Sequence, residues 1–134
     1  MKRQTNNVSD LDCIKFDTIK HEKPIGWRGS SLRDIKDDGI FSLDARKEAG
    51  SQLRRVQRGA DPDNWKSFDV LGAGTKEIRI NLGDGWFRVM YVAKFPEAVY
   101  VLHCFKKKTN TTSQQDKDIT AIRYKALIQE RNIK

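Results

Sequence analysis

From residue 77 to residue 108 the chain reads EIRINLGDGWFRVMYVAKFPEAVYVLHCFKKK, three strand-like segments in succession separated by two short turn signals. In the first, Ile78, Ile80 and Leu82 alternate with Glu77, Arg79 and Asn81, so a strand places the two sets on opposite faces. Gly83, Asp84 and Gly85 form a hairpin turn into the second segment, residues 86–95. There Phe87, Val89, Tyr91, Ala93 and Phe95 share one face, and Arg88, Met90, Val92 and Lys94 share the other. Pro96 and Glu97 turn the chain into the third segment, 98–106, which is apolar on both faces and therefore belongs inside a covered sheet. An antiparallel meander of this kind needs helices on it to bury its apolar faces.

The rest of the chain supplies them. A segment at 11–27, with Ile14, Phe16 and Ile19 alternating with polar residues, reads as an edge strand leading through Pro24 and Gly26 into a loop. Ser30 or Ser31 then caps a short helix over 32–37 that Gly39 ends. A second helix starts after Ser42 and runs to about Arg58, stopped by Gly59 with Pro62 beyond. Its Leu43, Ala49, Leu53 and Val56 form an apolar stripe, while Arg46, Lys47, Arg54, Arg55 and Arg58 lie mostly on the other side. That cationic face is either solvated or a docking surface for structured RNA. Residues 68–71 read as a further short strand before the glycine turn at 72–74, which lacks the GK[ST] of a phosphate-binding loop. From Ser113 helical spacing resumes, with Ile119, Ile122 and Ala126 on a stripe and Leu127 beside it. The order of strand, helices, antiparallel meander and helix is α+β. At 134 residues it fits one domain, 11–134, preceded by a polar, flexible N-terminal arm, 1–10.

A formal charge of +8 favours an acidic partner, and with no membrane-length, amphipathic or lipidation signal, nucleic acid outranks a membrane. The polar start carries no signal peptide, and Cys13 and Cys104 are far apart, without metal-ligand spacing. A cytoplasmic protein with reduced thiols, no metal site and no cofactor is the expectation.

The pieces LDARKEAGSQLRRVQRGADPDNWK, KEIRI, GWFRVMYVA, VYVLHCFKKKT and DITAIRYKAL, in that order, resemble the RelE/ParE superfamily of toxins, and its phage-derived, HigB-like branch in particular. The resemblance spans roughly residues 27–127. It implies a type II toxin neutralised by a cognate helix-turn-helix antitoxin and acting as a metal-independent endoribonuclease on mRNA at the translating ribosome. ParE relatives share the fold but poison DNA gyrase, so a protein-binding inhibitor is the alternative, with a non-catalytic RNA-binding module a third.

Carried over residue by residue, the resemblance makes Arg88 a phosphate-contacting cation and Lys107 and Lys108 candidates for the scissile phosphate and leaving group. Where RelE has two lysines separated by one residue, this chain has Glu77 and Arg79. Arg79 replaces a cation but is a poor base; Glu77 accepts a proton only if its environment raises its pKa, and reads first as a salt-bridge partner of Arg79 or Arg88. Arg54, Arg55, Arg58 and Lys106 are candidate RNA contacts, and Tyr124 a candidate base-stacking ring. His103, among apolar neighbours, reads first as a core histidine, with a titrating role as the alternative; the C-terminal histidine of some HigB members is absent, since this chain ends RNIK. His21 has no evident partner. Cys104 cannot use His103 as a base, because adjacent strand residues face opposite ways.

Overall fold

A computed structural model describes residues 22–109 and 111–133. The meander is present: β3 (Thr75–Leu82), β4 (Gly85–Val92) and β5 (Val99–Lys107) pair antiparallel, with Gly83 and Asp84 as a two-residue hairpin loop closed by Leu82 opposite Gly85. Two short strands complete the sheet, β1 (Ile25–Trp27) parallel to β5 and β2 (Trp65–Ser67) antiparallel to β3, in the order β1-β5-β4-β3-β2.

Helix α1 (Ser31–Lys36) and helix α2 (Leu43–Gln57) cover one face; helix α3 (Gln114–Ile133) covers the other. Ser42 starts α2 by accepting a hydrogen bond from the Ala45 amide at 3.2 Å, and Gly59, at φ +92°, ends it in the left-handed conformation that a side chain would oppose. Ala45, Ala49, Leu53 and Val56 pack on Ile78, Ile80, Phe87, Val89 and Tyr91, making the first core. The second, smaller core lies under α3 and joins Met90, Val92, Leu102 and Phe105 to Leu127. The fold is thus a mixed α+β domain with helices on both faces of a five-stranded sheet.

Four expectations need correction or restriction. The strand expected at 68–71 is displaced: β2 ends at Ser67, and Asp69–Leu71 is a 3-10 turn because the Asp69 carboxylate accepts from the Gly74 amide at 2.9 Å and from Ser67, folding the segment back. The first strand lies beyond Pro24 and runs through Gly26, while Ile14, Phe16, Ile19 and the 1–10 arm are outside the described residues. The second meander strand stops at Val92, so Phe95 leaves the face of Phe87 and joins the second core. Finally, Ile122 is 68% exposed, and the buried line of α3 runs through Thr120 and Leu127, with Tyr124 partly buried between them. Tyr124 fixes that rotation. Its ring lies against Gly72, where any side chain would collide with it, and its hydroxyl donates to the Ala73 carbonyl at 2.8 Å.

One irregularity positions the site. Met90 pairs with His103, but Tyr91 pairs with Val101, so Leu102 is an extra residue in β5. The bulge puts Leu102 and His103 both on the α3 side: Leu102 enters the second core, and His103 reaches Asp116 on α3.

Candidate active site

Glu77, Arg79 and Arg88 meet on the α3 face of the sheet because β3 and β4 place them on adjacent strands, with Arg79 directly opposite Arg88 and Glu77 opposite Met90. The Glu77 carboxylate is fully buried, and its Oε1 lies 3.7 Å from the Nε atoms of both Arg79 and Arg88. The other oxygen, Oε2, accepts a hydrogen bond from the Thr112 hydroxyl at 2.7 Å. Arg88 is also fully buried; its Nη1 donates to the Phe87 carbonyl at 2.9 Å and to Asn81 Oδ1 at 3.1 Å, which fixes the plane of the fork. Burial pushes the Arg88 pKa down, with Arg79 acting the same way and Glu77 opposing.

Lys107 ends β5 on the same side, 7% exposed, its ammonium donating to the Thr111 carbonyl. Burial lowers its pKa, opposed by Glu77 and Asp116. Lys107 thus feels the same carboxylate as the two arginines. Three cations from three adjacent strands surround one buried carboxylate, closed over by residues 111 and 112.

A second pair lies along β5. His103 Nε2 is 2.8 Å from Asp116 Oδ1, and the ring stacks on Phe105 with centroids 4.6 Å apart. Asp116 is held by a capping arrangement at the start of α3: Ser113 Oγ accepts from the Asp116 amide at 3.1 Å and donates to Asp116 Oδ2 at 2.7 Å. Burial opposes ionisation of Asp116, but the hydrogen bonds from His103 and Ser113 outweigh it and hold its pKa below the ordinary value. His103 Nδ1 is buried and has no hydrogen-bond partner among the described residues. His103 is therefore not a core histidine with both nitrogens satisfied.

The remaining sequence candidates lie elsewhere. Lys108 is exposed just past β5. Arg54 and Arg55 are exposed on α2 and Arg58 at its C-terminal cap, across the sheet from Arg88; Arg55 donates to the Asp61 carbonyl at 3.1 Å, and Arg58 is 3.5 Å from Glu22. Lys106 is on that same far face, its ammonium 5.5 Å from the centre of the Phe87 ring. Tyr124 is committed to Gly72 and Ala73, so its ring is a packing element here. Burial drives the Cys104 thiol pKa far up, which removes it as a thiolate nucleophile. Cys13 and His21 lie outside the described residues. Sequence reasoning missed Thr112 and Asp116; the Ser113-x-x-Asp116 capping pattern was the available signal for Asp116, and nothing local marks Thr112.

Among the described residues no group of three or more histidine, cysteine or acidic side chains is placed to hold a metal ion, and no helix is long and apolar enough to cross a membrane. Residues 39–125, from the approach to α2 through the meander and into α3, match the model of a family described as "Phage derived protein Gp49-like (DUF891)". No curated protein and no solved structure matches the chain.

Proposed function

The chain belongs to the phage-derived Gp49-like family, and from that premise we propose that it is a toxin of the RelE/HigB kind, a metal-independent endoribonuclease that cuts mRNA at the translating ribosome. Its cytoplasmic partners on this reading are mRNA, the ribosome and a helix-turn-helix antitoxin.

One observation carries the reading. The Glu77 carboxylate, an anion, sits between Arg79 and Arg88 with Lys107 beside it. A cation set that holds a carboxylate in place is chemically suited to a phosphate, which carries more charge and more acceptor oxygens. Cleavage of RNA by its own 2'-hydroxyl passes through a phosphorane more anionic than the starting diester, so fixed cations stabilise the transition state more than the ground state. Strand positions hold those cations more firmly than loops would. Arg88 is fully buried and Thr112 bonds to the neighbouring Glu77 carboxylate, so binding of a phosphate at Arg88 requires the cluster to open. The ribosome, by orienting the message, supplies the proximity of the reacting groups.

The test is pulse labelling of protein, RNA and DNA synthesis within minutes of induction in a host without antitoxin, with new RNA 5' ends mapped. Early loss of protein labelling with in-frame cuts supports the reading. Early loss of DNA labelling with intact messages transfers the chain to the gyrase-directed class. Lys107→Ala and Lys108→Ala are the better first variants, because truncating Arg88 strands the buried Glu77 charge and confounds activity with folding.

A further inference from the structure

We propose that a cavity at the C-terminal end of α2 binds a small phosphate monoester, a dianion carrying a sugar or nucleoside; the inference is independent of the nuclease reading, because the cavity lies on the face of the sheet away from Arg88.

The cavity, of about 490 Å³, opens between the turn that follows α2 and the paired strands β3 and β4. Lys76 of β3 and Tyr91 of β4 are opposite each other in the sheet, Lys94 lies just beyond the end of β4, and Lys23 comes from the segment before β1. Each ammonium is placed by contacts of its own. Lys23 is tied to the end of α2, its amide donating to the Gln57 carbonyl at 3.0 Å and its carbonyl accepting from Gln57 Nε2 at 2.7 Å. Its ammonium donates to the Ala93 and Phe95 carbonyls at 2.6 and 2.9 Å, which leaves a third proton for a ligand. The Lys76 ammonium is 3.1 Å from Asp61 Oδ1 and 4.3 Å from the centre of the Trp65 ring. The stem of Lys94 lies on Gly74, where an added Cβ would be 3.0 Å from its Cδ, and its ammonium is 5.2 Å from the centre of the Phe95 ring.

Charge decides what such a cavity takes. Three ammoniums against the carboxylate of Asp61 leave two positive charges on its walls. The neighbouring charges at the end of α2 are matched among themselves, Arg55 with Asp63 at 3.7 Å and Arg58 with Glu22 at 3.5 Å, and Asp69 feels Lys76 and Lys94 from further off. A phosphate monoester carries about two negative charges near neutral pH. Its oxygens point in several directions, which suits ammonium donors converging from separate elements. A carboxylate ligand would leave one ammonium uncompensated.

Tyr91 supplies a neutral donor. The residue is 1% exposed, and its hydroxyl makes no hydrogen bond to a described residue, although a buried phenol ordinarily finds a partner. Burial pushes its pKa up, with Asp61 acting the same way, so the hydroxyl keeps its proton and is available to an anion. Val56, Ala60 and Ala93 make the remaining wall apolar. The volume is that of a small-molecule site and exceeds what a phosphate group fills, so this wall is left for the organic part of the ligand.

The experiment is isothermal titration calorimetry and amide shift mapping by NMR on the full chain at constant ionic strength and about pH 7.5, where the monoester is a dianion. The probes are adenosine 5'-monophosphate and ribose 5-phosphate, each beside its unphosphorylated counterpart, adenosine or ribose. At least one ester should bind and move the amides of Gly59, Gly74 and Ala93, the counterparts should not, and the tighter ester identifies the organic part. Tyr91→Phe and Lys94→Gln should each weaken binding by about tenfold or more without lowering the melting temperature. Arg33→Gln, which removes an equal charge from exposed α1, should leave it unchanged. Binding of neither ester, shifts confined to the residues around Glu77, or equal weakening by Arg33→Gln and Lys94→Gln overturns the assignment and leaves the nuclease reading standing. A chain that binds the ester at these residues yet makes no new RNA ends overturns the nuclease reading alone.

Discussion

The Thr112 hydroxyl donates to Glu77 Oε2 at 2.7 Å across 35 residues of sequence, the contact that ties the segment after β5 to the buried ionic cluster on β3 and β4. Both partners are buried, so loss of the donor removes a hydrogen bond from a carboxylate oxygen that water cannot readily reach. Thr112→Val keeps the shape and removes the hydroxyl. It should cost about 1–3 kcal/mol in a urea titration, with no change in secondary structure by circular dichroism.

The same cluster predicts a response to anions. Glu77→Gln removes the carboxylate that lies between the guanidinium groups of Arg79 and Arg88, and breaking a buried ion pair from one side typically costs about 3–5 kcal/mol. If the pocket is built for phosphate, inorganic phosphate should raise the melting temperature of Glu77→Gln more than that of wild type, and more than chloride at equal ionic strength does. Equal responses to the two salts in both proteins would assign the cluster to the fold alone.

Much of the fold was legible in the order of its segments, and the reasons differ from element to element. The meander was readable because Gly83 and Asp84 fix the hairpin, and the alternation on both sides of it can be satisfied in only one register. Helix α2 was readable because Ser42 and Gly59 mark its ends. Strand alternation put Glu77 and Arg79 on one face and left the partner of Glu77 open between Arg79 and Arg88; the hairpin register brings both to it. The histidine pair was not legible in this way. It depends on a bulge at Leu102 that rotates His103 toward α3, and no glycine or proline announces it.

Helix α3 shows how a plausible stripe can be the wrong one. Ile119, Ile122 and Ala126 have helical spacing, yet Tyr124 must lie over Gly72 and Arg123 must reach the Leu102 carbonyl, and these contacts turn Ile122 outward. The rotation is testable by paired substitutions. Leu127→Ala, in the second core, should lose about 2–5 kcal/mol, whereas Ile122→Ala, at 68% exposure, should lie within about 0.5 kcal/mol of wild type in the same denaturation assay.

Asp116 makes acid stability a probe of the histidine pair. Its folded pKa lies below the ordinary 3.8 because the hydrogen bonds from His103 and Ser113 outweigh the burial that opposes ionisation. The unfolded chain therefore binds this proton more readily than the folded one does. The resulting stabilisation is complete above the unfolded value and is lost as pH falls from there through the lower folded value. In Asp116→Asn that contribution is absent at every pH. Wild type should accordingly be the more stable protein at neutral pH, and the gap between the two should narrow as the pH falls below about 4. A gap that stays constant down to acid unfolding would mean that Asp116 titrates alike in the folded and unfolded chains, and that the carboxylate does not orient His103 as an ion.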